Sequence, residues 1–291
     1  MRHSCIAGQF RTSFLIALGS AALIVAGLTG CDGNKPQTSS KSAISAAAAS
    51  ERDAAIDSGH GEGYTYQITY PQLSARMATL TAALRAFADK AKQEFVSERT
   101  TSRTTQDPAF SLEVEFDIAR NTADFVSVLA SGSEFTGGAH GLPIQASFNW
   151  HRTDAKLVTL AELFNDPDSA LRALSDETRR QLEGRLEVKL RDETASMSDK
   201  QAASYSKEMK SWIEKGTEPV AQNFDVFLVD GLDTQAIGLT FIFPPYQVAS
   251  YADGAQQVEV PAKVFYKLLK PQYRDAFAID TEADKLGAAA R

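Results

Sequence analysis

The chain has 291 residues, 43% of them hydrophobic, and 30 Lys and Arg against 37 Asp and Glu give it a formal charge of −7. A net-acidic chain lacks the clustered cations that phosphate contacts need, which excludes nucleic acid as a partner. Its two cysteines, Cys5 and Cys31, and its four histidines, His3, His60, His140 and His151, show no metal-ligand spacing. Neither a metal nor another cofactor is therefore expected.

Arg2 and Arg11 precede an apolar run from Phe14 to Leu28, which closes on Leu28-Thr29-Gly30-Cys31-Asp32. That order reads as a lipoprotein signal peptide over residues 1–30, cleaved before Cys31, whose thiol takes a diacylglycerol. The run is about 15 residues, short of the ~20 that a spanning helix needs. The expected location is the cell envelope, anchored to a membrane by lipid and facing the periplasm or the exterior. Cleavage removes Arg2 and Arg11 and no acid, taking the charge from −7 to −9. With only the lipid-bearing Cys31 left, no intramolecular disulfide can form, and the fold must rest on its core. Residues 31–62 are rich in Ser, Ala and polar residues without large apolar periodicity. They read as a flexible tether.

Tyr64–Tyr70 alternates in period two and reads as a strand, stopped by Pro71. Leu73, Met77, Leu80, Leu84, Phe87, Ala91 and Phe95 then recur at spacings of three and four, one apolar stripe along a helix. Three strands follow over Phe110–Ala119, Thr122–Ser131 and Pro143–Arg152. In the first, Leu112, Val114, Phe116 and Ile118 face one way and Glu113, Glu115 and Asp117 the other. Thr159-Leu160-Ala161-Glu162 is a capping box opening a short helix. Asn165-Asp166-Pro167-Asp168 is a turn, with Asp168 or Ser169 as the cap of the next helix, whose stripe is Leu171, Leu174, Leu182, Leu186 and Leu190. A further helix spans Asp199–Glu214. Val226–Val229 and Ala236–Phe243 flank a hairpin turn at Asp230-Gly231-Leu232-Asp233. Val258–Val260 is a last strand, and Pro261 opens a helix holding Val264, Phe265, Leu268 and Leu269. Blocks of strands and helices without strict alternation give an α+β class with antiparallel sheets packed against long amphipathic helices. The expected organisation is two similar-sized subdomains, residues 63–153 and 154–275, and a disordered tail over 276–291.

Three segments carry a resemblance: Glu134-Phe135-Thr136-Gly137-Gly138-Ala139-His140-Gly141, then Leu157–Phe164, then Phe243-Pro244-Pro245-Tyr246 through Tyr251-Ala252-Asp253-Gly254. Together they resemble the paired extracytoplasmic domains of RsiV-type anti-sigma factors and the non-catalytic region of PdaC-type deacetylases. The second of those domains is called domain of unknown function 3298. The resemblance implies an α+β envelope module and, from the RsiV-type relatives, binding of lysozyme. Residues 1–11 are too short to hold a sigma factor, and nothing after Phe265 would supply a deacetylase domain. What the resemblance leaves is a binding or sensing module.

Two loops are candidates for ligand contact. Thr136, Gly137, Gly138, His140 and Gly141 offer positive-φ backbone, amide donors and a titratable ring. The same glycines would also serve a wide turn, with His140 bonded to nearby backbone. Tyr246 and Tyr251 would stack on sugar rings or line a protein interface, or else Pro244-Pro245-Tyr246 forms a rigid corner over the core. The first expected partner, from the resemblance and then from the acidic charge, is a cationic lysozyme-type muramidase; peptidoglycan or another envelope glycan is the alternative. A cell-wall hydrolase would need Ser133, His140 and Asp154 to converge, or two of Glu113, Glu115 and Asp117 to face a cleft. Without a Gly-x-Ser-x-Gly elbow, no catalytic residue is assigned and no enzyme is expected.

Overall fold

A computed structural model describes residues 55–101, 110–232 and 235–279. The signal peptide, Cys31, the tether up to residue 54 and the tail from 280 lie outside the described residues. No helix among the described residues is long and apolar enough to cross a membrane.

The first subdomain is a six-stranded sheet in sequential order: β1 (Ala55–Gly61), β2 (Tyr64–Tyr70), β3 (Phe110–Asn121), β4 (Phe125–Phe135), β5 (Leu142–His151) and β6 (Lys156–Leu157). The helix α1 (Ala78–Thr101) joins β2 to β3 and lies on one face. Its stripe buries Leu80, Leu84, Ala88 and Phe95 against Leu112, Val114 and Phe116 of β3 and Val126, Val128 and Ala130 of β4. Phe87 meets Phe116 and Phe148 edge-on at 6.0 and 5.7 Å.

Two features depart from expectation. β2 and β3 pair in parallel within an otherwise antiparallel sheet, because the helix between them returns the chain to the end where β2 began. Order also starts at Ala55, inside the stretch read as tether: β1 pairs with β2 along its whole length. It escapes a hydrophobic reading because its one large apolar residue, Ile56, is 62% exposed and backbone pairing holds the strand.

The second subdomain contains α2 (Leu160–Leu163), α3 (Pro167–Glu193), α4 (Asp199–Gly216) and the sheet β7 (Phe227–Leu232), β8 (Gln235–Phe243) and β9 (Gln256–Pro261). The Thr159–Glu162 capping box is present. Glu162 accepts from the Thr159 backbone N–H at 2.8 Å, a bond that lowers its carboxyl below the usual range. Asp166, not Asp168 or Ser169, caps α3: its carboxylate accepts from the Ser169 N–H at 3.1 Å, and Pro167 takes the first helical position. The segment after Pro261 is two successive 3-10 turns, Ala262–Val264 and Tyr266–Leu268, followed by α5 (Pro271–Arg274). The expected regular helix there does not form. The start of the expected tail is ordered as well. Ala276 and Phe277 are buried, and the Ala236 amide and carbonyl bond to Ala276 and Ala278.

The two subdomains are joined through polar groups. Strand β7 is the edge of its sheet, and its outward backbone groups bond to side chains on the helix-free face of the first sheet. Ser147 Oγ accepts from the Phe227 N–H at 2.9 Å, and Ser127 Oγ accepts from the Val229 N–H at 3.0 Å. Asn149 Nδ2 donates to the Phe227 carbonyl at 2.9 Å, and its Oδ1 accepts from Ser127 Oγ at 2.6 Å. An exposed edge would pair with any passing strand; here it is satisfied internally. Phe125 of β4 reaches across into the second core, within 6.2 Å of Tyr273 and 6.1 Å of Phe277. The Arg120–Asp230 ion pair adds a partly exposed link.

Candidate functional site

The docking of the subdomains brings the two candidate loops together. His140, in the β4–β5 loop, stacks on Tyr251 with ring centroids 4.1 Å apart and planes 18° from parallel. Tyr246 lies 3.1 Å from His140 Nε2 through its hydroxyl, and its ring is 5.6 Å from that of Tyr251. His140 Nδ1 is 3.1 Å from the Gly141 carbonyl, which can only accept. In the neutral ring Nδ1 then donates to that carbonyl and Nε2 accepts from the Tyr246 hydroxyl. Both ring nitrogens are spent on holding the cluster. Trp212 of α4 sits 6.4 Å from Tyr246 and extends the aromatic ledge; its helical spacing reads as a core anchor, so sequence alone misses it. The best available signal was a large aromatic on a helix rich in charge.

Tyr246 is 52% exposed and has φ +73°, a conformation a tyrosine adopts only when its surroundings hold it there. The Tyr246 N–H donates to the Ala249 carbonyl, and Gln247 Nε2 ties the corner to the carbonyls of Gly216 and Asn223, both at 2.9 Å. The Pro244-Pro245 corner is real, but Val248 is what it buries, and the tyrosine points to solvent. Tyr251 opens a 3-10 turn anchored by Asp253. That carboxylate accepts from Ser250 Oγ at 2.7 Å and pairs with Lys189 of α3. Burial alone would raise Asp253, but the Lys189 and Ser250 hydrogen bonds outweigh it and hold the carboxyl below its usual range.

Gly137 and Gly138 have φ of +102° and +106°, and a Cβ on either would meet nothing within 4 Å. Their role is conformational, turning the backbone outward beside His140. Thr136 and Gly141 flank them, and Gly141 contributes its carbonyl to His140.

The hydrolase constellation does not assemble. Asp154 lies against His151, with Oδ2 3.1 Å from Nδ1 though off the line of a hydrogen bond. His140 has spent its nitrogens elsewhere, and Ser133 sits in the ladder opposite Pro143. Glu113, Glu115 and Asp117 form an exposed row along one strand.

Residues 58–143 match the family model described as deacetylase PdaC, and residues 161–263 match that of a protein of unknown function, DUF3298. The chain is 22% identical over 222 residues to the peptidoglycan-N-acetylmuramic acid deacetylase PdaC of Bacillus subtilis. That alignment takes in 74% of this chain but 41% of the relative's length. Among solved structures, a DUF3298 family protein from Pseudomonas aeruginosa shares the fold, with TM-score 0.50 and 16% identity over 76% of this chain and 94% of that one. A DUF3298 member from Bacteroides fragilis aligns with TM-score 0.47, 15% identity and 76% and 93% coverage. The two family-model matches fall one on each subdomain, in chain order, and the chain spans less than half the length of its Bacillus subtilis relative.

Proposed function

We propose that the protein is a non-enzymatic envelope lipoprotein that binds peptidoglycan or a related envelope glycan on the His140–Tyr246–Tyr251 ledge. The observation that carries this reading is the convergence of two loops 106 residues apart into one exposed aromatic cluster. Aromatic faces left in water favour ligands with flat apolar faces and polar rims, and pyranose rings are of that kind. The Bacillus subtilis relative, a peptidoglycan deacetylase, aligns with this chain over 222 residues. The non-catalytic reading is supported by Asp154 lying against His151, at the far end of β5 from His140. A lipid on Cys31 would hold the ledge within reach of the wall.

A second reading keeps the site and changes the ligand. The formal charge of −7 favours encounter with a cationic lysozyme-type muramidase. Co-sedimentation of the full-length protein with purified sacculi, beside pull-down on immobilised lysozyme, separates the two. Glycan stacking should persist between 0.05 and about 0.3 M salt, whereas charge-driven muramidase binding should fall steeply. Retention by neither at micromolar concentration refutes both readings.

A further inference from the structure

The ledge has a polar neighbour that stacking does not use. Among the described residues, no amide from Gly137 to His140 donates to a backbone carbonyl, and a Cβ added to Gly137 or Gly138 would meet only open space. They are exposed donors without a backbone acceptor. The surrounding charge says which kind. No Lys or Arg occurs between Asn121 and His151, or between Pro244 and Gly254. Lys189, which reaches the Tyr251 turn, is committed to Asp253 and Glu193. Glu134, two residues before Thr136, is held above the usual carboxylate range by its burial and by the charges of Glu98 and Glu94. A carboxylate or phosphate would arrive at hydrogen-bond donors without a countercharge and beside an acid. A neutral carbonyl would not suffer this.

We infer that the site selects N-acetylated over de-N-acetylated sugars, with the pyranose on Tyr246 and Tyr251 and the acetamido carbonyl accepting from the Gly137–Ala139 amides. This rests on the glycan-binding reading and narrows it to one ligand chemistry. His140 has no free nitrogen for the ligand; it fixes the Tyr246 ring. Removing the acetyl group takes away the acceptor and leaves an ammonium that can only donate. The nearby acids attract that ammonium, and 0.15 M salt weakens this competing attraction.

The test is calorimetric titration of the full-length protein, in detergent at 0.15 M salt, with tetra-N-acetylchitotetraose and with its fully de-N-acetylated counterpart. The acetylated sugar should bind about tenfold more tightly, the worth of one or two hydrogen bonds. Gly137→Ala/Gly138→Ala, which strains the loop in open space and leaves the core alone, should erase that preference while the affinity due to stacking remains. Tyr246→Ala should weaken both sugars alike. Equal affinity for the two sugars, or a preference that survives in the double glycine variant, overturns the acetamido assignment and leaves glycan binding standing. Binding of neither sugar overturns both.

Discussion

Replacing Asn149 by Ala should loosen the joint between the subdomains, and its cost can be worked from the hydrogen bonds it removes. Asn149 is 3% exposed and Ser127 fully buried. The substitution leaves the Phe227 carbonyl without its side-chain donor and the Ser127 hydroxyl without its acceptor. Each unsatisfied buried group costs roughly 1–3 kcal/mol. The hydroxyl recovers part of this by rotating, since it still accepts from Val229, so about 2–4 kcal/mol is expected for the pair. In a unit of this size that lowers Tm by roughly 5–15 °C. The two tryptophans report on the two sides: Trp150 in the first core and Trp212 on α4. Urea unfolding of the compact unit from Glu51 onward, followed in Trp150→Phe and Trp212→Phe backgrounds, should show coincident transitions. Asn149→Ala should shift both downward and weaken ligand binding, since His140 and the two tyrosines belong to different subdomains. A loss below about 0.5 kcal/mol, the level of an ordinary surface substitution, would refute the claim that these bonds join the halves.

Three further outcomes follow from local geometry and chemistry. Glu134→Gln should raise Tm at neutral pH: the folded-state carboxyl is raised, so its charged form destabilises the fold as pH rises through the carboxylate range. The gain should vanish near about pH 3, where the carboxyl is protonated in both states; an equal gain at both pH values contradicts this. Gly216→Ala puts a Cβ 2.2 Å from the Gln247 carbonyl oxygen, so the Tyr246 corner must move. Urea unfolding should show a loss of roughly 1–3 kcal/mol. Cys31→Ser should abolish both palmitate labelling and pelleting with membranes in high salt; continued pelleting would mean a different anchor.

What was legible in the sequence was what is local. The α1 stripe and the Thr159–Glu162 capping box depend on neighbours three and four residues away. The capping box appears as read, and the stripe holds from Leu80 to Phe95, with Ala88 rather than Ala91 buried and Leu73 ahead of the helix. β1 was not legible, because its stability comes from pairing and from β2 rings lying over its glycines. A Cβ on Gly59 would be 2.7 Å from the Tyr66 ring, and one on Gly61 would be 2.3 Å from the Tyr64 ring. Phe277 was assigned to the tail because a single aromatic gives no periodicity; its burial depends on a core assembled from the rest of the subdomain. The regular helix expected after Pro261 fails because Phe265 and Leu269 are drawn into the core while the chain turns tightly between them. Each candidate loop was recognisable by itself. Their contact was not, because it exists only once β7 has docked on the Ser127–Asn149 face.

The most direct test of the central claim is calorimetric titration of a peptidoglycan-derived tetrasaccharide into the wild-type protein and into Tyr246→Ala/Tyr251→Ala. Both tyrosines are exposed, at 52% and 38%, so their removal should leave Tm nearly unchanged. The account predicts saturable binding by the wild type and its loss in the folded double variant. Wild-type affinity in that variant would contradict the assignment of the ledge as the ligand site.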